Sequence, residues 1–179
     1  IGDPRGTPSW TLRDELMRQL PEAVADIRFE SMPLMSPLAV VPSDPLFAQQ
    51  WNMTQISAPQ AWDINDGGAG VVVCVLDEGC DRAHPDLQYT AAGINSGTMN
   101  GDGSPFGNHG TACAGIVGGL FDNAQGVAGV AGRCTVMPVA VGGWTDVAVA
   151  AGINYARLNG AQVISMSFGL NAWDPAIID

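Results

Sequence analysis

The chain has 179 residues and a formal net charge of −11, from 18 acidic and 7 basic side chains. This balance argues against a nucleic-acid partner, because binding to a phosphate backbone relies on clustered Lys and Arg. Apolar residues make up 46% of the sequence, which suits one globular domain, alone or with a short appendage, rather than a disordered chain. No apolar stretch reaches the roughly 18–20 residues that span a bilayer.

Two regions are predicted: residues 1–41 as an N-terminal extension with a linker, and residues 42–179 as the main domain. Four prolines between Met32 and Pro45 predict an extended linker at the boundary. Before the linker, apolar residues at helical spacing predict a helix that ends at Pro21. No basic-then-apolar signal segment opens the chain, which we interpret as a processed, excised or trimmed polypeptide.

From residue 70 onward, apolar strands alternate with helices rich in small residues. Strands are predicted at 70–77, 88–94, 134–141 and 161–168, and helices at 109–120 and 146–158. Asp146 is expected to cap the second helix and Gly160 to end it. This alternation indicates an α/β fold, a three-layer sandwich with a mostly parallel sheet covered on both faces. A further helix is predicted to start at Asp174-Pro175, so the sandwich is expected to be incomplete in this chain.

The four cysteines lack the spacing of a zinc site. Cys74 lies in an apolar strand and Cys113 in a small-residue helix, which predicts buried free thiols at both. A bridge between Cys80 and Cys134 remains open from the sequence.

Asp77 stands at the end of the apolar run that starts at Val71, and in a parallel sheet active residues belong at the carboxyl ends of strands. His109-Gly110-Thr111 opens a small-residue helix 32 positions later. Each is weak alone, since Asp often ends a strand as a turn residue and His109 could make a merely structural hydrogen bond. Together they are two parts of an Asp/His/Ser system that moves protons during acyl transfer.

Further motifs accompany this pair in a fixed order: Ile56-Ser57-Ala58-Pro59-Gln60-Ala61-Trp62, His84-Pro85-Asp86-Leu87, Gly126-Val127-Ala128-Gly129 and Val163-Ile164-Ser165-Met166-Ser167-Phe168-Gly169. From about Pro42 to Gly169 this order resembles the subtilisin-like serine peptidases, or subtilases. The resemblance implies a subtilisin-like fold and hydrolysis of peptide bonds. Asp77 would be the triad carboxylate and His109 the general base.

The resemblance also assigns binding residues. The edge of the primary specificity pocket would be formed by Ser165, Met166, Ser167, Phe168 and Gly169, with Gly143 near the rim that binds upstream substrate residues. Asp86 and Asn123 would hold a structural calcium ion. Oxygen-rich loops suit calcium, but Asp and Asn also populate ordinary turns, so both interpretations stay open. No organic cofactor is expected.

Two departures from the family pattern matter. Glu78 replaces the usual Thr or Ser, and this extra acid could raise the pKa of His109, favour basic residues near the cleft, or face solvent. The family's Gly-Thr-Ser-Met-Ala nucleophile turn does not occur before Asp179. We therefore expect this chain alone to be inactive, with the serine on a C-terminal half that is its partner, on the same polypeptide or on a separate chain.

The leading interpretation is the N-terminal half of a secreted or cell-envelope serine endopeptidase, made as a zymogen whose prodomain leaves a remnant in residues 1–41. The alternative is a non-catalytic subtilase-like binding or scaffold module with a natural stop near Asp179. A dinucleotide-binding domain is set aside, because the glycines at 67–70 precede their strand instead of following it.

Overall fold

The computed structural model describes residues 40–65 and 67–169. These residues belong to one structural unit. The helix predicted to end at Pro21 and the helix predicted at Asp174 lie outside the described residues. No helix in the described part combines the length and the hydropathy needed to cross a membrane.

Four parallel strands form the sheet, in the order β2-β3-β1-β4. The strands are β1 (Val72–Asp77), β2 (Ile94–Asn95), β3 (Thr135–Ala140) and β4 (Val163–Ser165). The helices are α1 (Trp51–Gln55), α2 (Ala58–Trp62), α3 (His109–Gly118) and α4 (Asp146–Leu158), with a 3-10 turn at Phe47–Gln49. The predicted α/β class and the parallel sheet are confirmed.

The sheet is covered on both faces because side chains alternate along its central strand. Leu76 of β1 packs into an apolar cluster that includes Val149 of α4. Val75 packs into a second cluster that includes Ala114 of α3. All four side chains are buried, and burying an aliphatic side chain the size of Val or Leu contributes about 1.5–3 kcal/mol. Helix, sheet and helix therefore make the three layers that the sequence predicts.

All four strands are shorter than predicted, and two of them keep less than half of the predicted length. In the predicted strand 88–94, Tyr89 makes a single bridge to Val136, and regular pairing begins only at Ile94. Thr90 still donates its N–H to the Val136 carbonyl oxygen at 2.9 Å, but its own carbonyl oxygen accepts from Arg82 at 2.8 Å. The N–H of Gly93 donates to the Tyr155 hydroxyl instead of to a strand. In the predicted strand 161–168, only Val163–Ser165 pair with β1. Apolar patterning therefore marked the right segments but overestimated their pairing.

The N-cap of α4 is Thr145, one residue before the predicted Asp146. The Thr145 hydroxyl accepts the backbone N–H of Ala148 at 3.2 Å. Asp146 is the first helical residue, where its charge favours the positive end of the helix. Asn159 is the C-cap, and Gly160 follows it with a φ of +88°, so the predicted glycine stop lies just past the helix end.

The C-terminal part of the predicted linker belongs to the folded domain, because Pro42 and Asp44 are buried. The division of the chain at residue 42 stays a prediction. All four cysteines are free thiols, so the Cys80–Cys134 bridge does not form. Cys113 is only partly buried, unlike the prediction, because its sulfur lies beside the half-exposed ring of His109.

Candidate active site

Asp77 is delivered to the carboxyl edge of the sheet by the apolar residues of β1. Its side chain is 1% exposed. The backbone N–H of Glu78 donates to Oδ1 at 2.7 Å. The carboxylate is therefore fixed at the strand end by burial and by a hydrogen bond from the next residue.

His109 is the first residue of α3 and meets this carboxylate. Its Nδ1 lies 2.8 Å from Oδ1 and 3.0 Å from Oδ2 of Asp77. An ionised carboxylate can only accept, so the pair places the imidazole proton on Nδ1 and leaves Nε2 as an acceptor. Gly110 permits this close approach, since a Cβ there would collide with the carbonyl oxygen of Gly79. A strand end and a helix start, 32 residues apart, thus form one hydrogen-bonded pair.

The pKa of His109 is raised above its ordinary value. The hydrogen bond to Asp77 is the main cause, followed by the charge of Asp77, while partial burial opposes the shift and the charge of Glu78 adds to it. The Glu78 carboxylate does not simply face solvent, because its Oε2 accepts the backbone N–H of His109 at 3.2 Å. The imidazole is 56% exposed, so a group from outside can reach its ring.

A thiol lies beside the same ring. Cys113, one helical turn after His109, places its Sγ 3.8 Å from Nδ1 and 3.9 Å from Nε2. The near-equal distances show that the sulfur lies beside the ring as a whole rather than aligned with one nitrogen. This neighbour is not among the residues predicted for the site, although the spacing of four residues on a helix indicates it.

The residues predicted to bind substrate lie in two neighbouring segments. Ser165 ends β4, and Met166 to Gly169 follow the strand. Gly143, with a φ of +81°, precedes Trp144 in the loop before α4. The two segments touch, because the Trp144 and Phe168 rings pack edge to face with centroids 5.1 Å apart.

An aromatic row, formed by Phe106, Trp144 and Phe168, extends this contact by one ring. The Phe106 and Trp144 ring centroids are 6.4 Å apart. Phe106 is three residues before His109 and is 53% exposed. Phe106 is not among the residues predicted for the site, since an aromatic residue in a Gly- and Pro-rich loop gives no periodic signal.

The residues predicted to hold calcium meet at a separate loop. Asp86 is 2% exposed, and it accepts the side-chain amide of Asn123 at 2.7 Å and the backbone N–H of Val127 at 3.0 Å. Asp44, which sequence analysis placed in the linker, joins them. It is 4% exposed and accepts the backbone N–H groups of Asp122 and Asn123 at 3.0 and 3.3 Å. Two buried carboxylates therefore hold one short loop.

This loop is tightly wound. Asp122, Ala124 and Gly126 have φ values of +56°, +61° and +47°. A Cβ at Gly126 would collide with the Asp86 carboxylate, so the backbone packs directly against its oxygens. Carboxylate and amide oxygens are the donor type that calcium takes. In this structure the carboxylate oxygens of Asp44 and Asp86 accept N–H groups, and Asn123 Oδ1 accepts the Gln125 N–H at 2.8 Å.

A groove of about 990 Å³ runs along the outer face of α3, away from the sheet. Its wall includes Trp51, Thr111, Ala112 and Ile116. Trp51 and Ile116 are 77% and 54% exposed, so the groove presents apolar surface to solvent.

Comparisons with known proteins identify the family of this chain. Residues 68–179 match the subtilase family. Thermitase from Thermoactinomyces vulgaris is 40% identical over 72% of this chain, and the match covers 48% of thermitase. The halolysin-like extracellular serine protease Nep from Natrialba magadii is 31% identical, covering 72% of this chain and 26% of Nep.

Among solved structures, a protease from Pseudoalteromonas arctica superposes with a TM-score of 0.66 at 30% identity. The match covers 77% of this chain and 54% of that protease. The chain thus spans about half the length of thermitase, and similarly of the P. arctica protease. The family match and these relatives show that the chain belongs to the subtilase family.

Proposed function

We propose that this chain is the N-terminal half of the catalytic domain of a subtilisin-like serine endopeptidase. Asp77 and His109 would be two members of its Asp/His/Ser triad. The observation that carries the proposal is the 2.8 Å contact between Asp77 Oδ1 and His109 Nδ1 at the carboxyl edge of a parallel sheet. Membership of the subtilase family supports the reaction class.

The geometry suits proton transfer through the exposed face of the imidazole. Asp77 accepts the Nδ1 proton and so fixes the tautomer in which Nε2 is a base. A serine hydroxyl near Nε2 would lose its proton to His109 as its oxygen attacks a peptide carbonyl carbon. The buried negative charge of Asp77 would stabilise the imidazolium that forms. His109 would then return the proton to the leaving amine.

The serine and the donors that stabilise the oxyanion would come from the remaining half of the protease. Ser165 and Ser167 lie in the segment assigned to substrate binding, so neither is proposed as the nucleophile. The remaining half would be the partner of this chain, on the same or a separate polypeptide, and this chain alone would be inactive.

Two surfaces suit that partner. The outer edge of β4 has no neighbouring strand among the described residues, and Val163 there is 51% exposed. The groove along α3 exposes apolar surface next to the helix that carries His109. Since the match covers 48% of thermitase, we propose that the remaining half occupies both surfaces and excludes water from them.

The substrate would be an extended peptide. The backbone from Ser165 to Gly169 and the loop at Gly143 would pair with it as neighbouring strands do. The aromatic row (Phe106, Trp144 and Phe168) would contact substrate side chains upstream of the cleaved bond. Phe106 and Trp144 are exposed while Phe168 is partly buried, and the two exposed rings favour apolar substrate side chains over charged ones.

Calcium is proposed as a structural ion at the loop that follows α3. Asp86, Asn123 and Asp44 would hold it, and the ion would offset the charge of two buried carboxylates. Its contribution would be to the folding of the loop.

The protein would be a secreted or cell-envelope protease, in keeping with the name of the extracellular relative Nep. Residues 1–41 would be the remnant of an inhibitory prodomain, which makes the precursor a zymogen. Cell fractionation followed by N-terminal sequencing of the mature protease tests both points. An extracellular or envelope form that begins near residue 42 supports them, and an uncleaved intracellular form contradicts them.

The triad is tested in the full-length protease with a fluorophosphonate probe and a peptide substrate. H109A is expected to lose probe labelling and to reduce kcat by several orders of magnitude, since the hydroxyl loses its base. H84Q is the matched control, because His84 is the second of the two histidines here and its Nδ1 accepts the Asp86 N–H at 3.3 Å. Full activity in H109A, or no labelling of the wild-type protease, would overturn the proposal.

A further inference from the structure

The helix that carries His109 does not cap its own N-terminus. Asn108 is the N-cap residue, but its side chain accepts no hydrogen bond from the helix. The first turn contains no acidic residue either. The first backbone N–H groups of a helix lack partners within it and carry the positive end of its dipole. A catalytic histidine at this position therefore needs a partner from elsewhere in the chain.

Glu78 supplies that partner. Its Oε2 accepts the backbone N–H of His109 at 3.2 Å. The backbone of Glu78 is itself fixed, because its N–H donates to Asp77 Oδ1 at 2.7 Å and its carbonyl accepts the N–H of Phe106 at 3.0 Å. It also forms an antiparallel bridge with Ala140 at the end of β3. The carboxylate thus projects from a rigid strand end toward the helix.

The loop before the helix is shaped around this carboxylate. Gly107 lies against it so closely that a Cβ at position 107 would collide with Oε2 of Glu78. Here the φ of Gly107 is not the reason for a glycine, since it does not lie in the left-handed region. Space for the Glu78 carboxylate is the constraint.

We propose that Glu78 is a positioning residue, which caps the helix of His109 from across the active site and holds the imidazole against Asp77. This inference rests on the proposed function, since positioning has a kinetic meaning only in a protease. The hydrogen bond to Glu78 fixes the backbone of His109, and the hydrogen bond to Asp77 fixes its ring. A second anion at the helix start adds favourable charge at the positive end of the dipole.

The electrostatic consequence follows from the charged groups around the ring. In the described part of the structure these are Asp77 and Glu78, while the thiol of Cys113 contacts the ring from its own helix. Asp77 is the larger cause of the raised pKa of His109, and Glu78 acts in the same direction. Removing the Glu78 charge therefore lowers the pKa of His109, and the acid limb of the activity profile moves to lower pH.

Two variants of the full-length protease separate charge from shape. E78Q removes the charge but keeps the side-chain length and one acceptor oxygen. We therefore expect the acid limb of kcat/KM to move to lower pH, while kcat and KM at high pH stay near their wild-type values. E78A also removes the acceptor, so the same move is expected with a further loss in kcat at unchanged KM. That loss should be roughly tenfold, which is smaller than the ~10²-fold cost of a 1 Å misplacement.

The G107A variant provides a cycle that does not depend on how well E78A folds. A methyl group at position 107 should displace the carboxylate, so G107A is expected to reproduce the kinetic loss of E78A. In the E78A background the same methyl group has room, and G107A should add no further loss. An equal cost of G107A in both backgrounds would overturn the capping role.

Titration of the His109 imidazole by NMR, assigned with H109Q, gives a readout that needs no activity. A lower pKa of His109 in E78Q supports the inference, and an unchanged pKa together with an unchanged acid limb overturns it. A wild-type protease that cleaves no peptide would contradict the proposed function, while the titration would still decide whether Glu78 acts on His109.

Discussion

Asp77 and Asp86 are both buried aspartates, 0% and 2% exposed, and both accept backbone and side-chain hydrogen bonds. Asp77 shares its oxygens between a backbone N–H and the imidazole of a half-exposed histidine. The Asp86 oxygens accept the side-chain amide of Asn123 and the backbone N–H of Val127, both in the loop after α3. Burial and hydrogen bonding are therefore alike at the two sites, and the partners differ.

The partners decide whether a buried carboxylate can influence proton transfer or only stabilises the structure. An imidazole can gain and lose a proton near neutral pH, so a buried negative charge beside it changes that equilibrium. Amide and backbone donors do not titrate, so a carboxylate that binds only these takes no part in proton transfer. The exposure of the partner completes the distinction, because the imidazole of His109 is open to solvent.

The largest expected effect comes from D77N in the full-length protease. An Asn side chain at this position can donate to Nδ1 and so favour the wrong tautomer of His109, and it no longer stabilises an imidazolium. The same change in a serine-protease triad lowers kcat by ~10⁴-fold. The residual activity should also have its acid limb at lower pH, because Asp77 is the main cause of the raised pKa of His109. Steady-state kinetics across pH measure both.

The same variant makes a prediction about stability. A histidine whose pKa is raised on folding stabilises the native state fully below its unfolded pKa, about 6.5, and loses this contribution as pH rises through the folded pKa. The loss of stability in D77N should therefore be larger at pH 5 than at pH 9, as measured by urea unfolding. A difference independent of pH would mean that Asp77 does not raise the pKa of His109 in the folded protein.

Removing Asp44 or Asp86, the two buried carboxylates that hold the loop after α3, is expected to lower stability and to leave catalysis unchanged. D86N or D44N sets an amide donor against a backbone or side-chain N–H, which leaves a buried group unsatisfied at a cost of ~1–3 kcal/mol. We expect a lower free energy of unfolding in urea, with kcat near wild type at 25 °C. The double variant should cost less than the sum, because both carboxylates hold the same loop.

Calcium sharpens this prediction. If the loop binds the ion, added calcium raises the Tm of the wild-type protease by mass action, and D86N loses the response. D77N, whose carboxylate lies at the active-site pair instead, is the matched control and should keep it. A loss of kcat in D86N as large as that in D77N would remove the distinction between the two sites.

The Asp77–His109 pair could be predicted more completely from the sequence than the carboxylates that hold the loop after α3, for a physical reason. Asp77 could be found because its strand is continuous, apolar and local, and strand ends of a parallel sheet lie at one edge. His109 could be found because it opens a helix of small residues. The three-layer fold follows from the same local patterns.

Asp44 and Phe106 could not be found in this way. Asp44 lies among prolines, and only its contact with the backbone at Asp122 and Asn123, nearly 80 residues later, shows that it is buried. Phe106 acquires its meaning from Trp144, which comes from a different loop. Contacts between irregular segments far apart in the chain leave no periodic pattern in the sequence.

The smallest expected effect of a substitution is that of C113A. The Cys113 sulfur lies 3.8 Å or more from both ring nitrogens and does not replace the Asp77 hydrogen bond, so kcat should change little. A larger group at the same position should act differently, because it would cover the exposed face of His109. Treatment of the full-length protease with N-ethylmaleimide, followed by peptide mapping and an activity assay, tests this.

Selectivity for Cys113 follows from burial. Desolvation is the first cause that raises the pKa of Cys74 and of Cys80 to about 12, and it also raises the pKa of Cys134. All three are buried thiols, and the thiolate is the form that reacts, so partly exposed Cys113 should be modified first. Wild-type protease should lose activity in step with labelling of Cys113, and C113A should resist. Full activity after complete labelling would show that the substrate approaches His109 from a side of the ring that Cys113 does not border. The exposed face that distinguishes His109 from the partners of Asp86 would then lie on that other side.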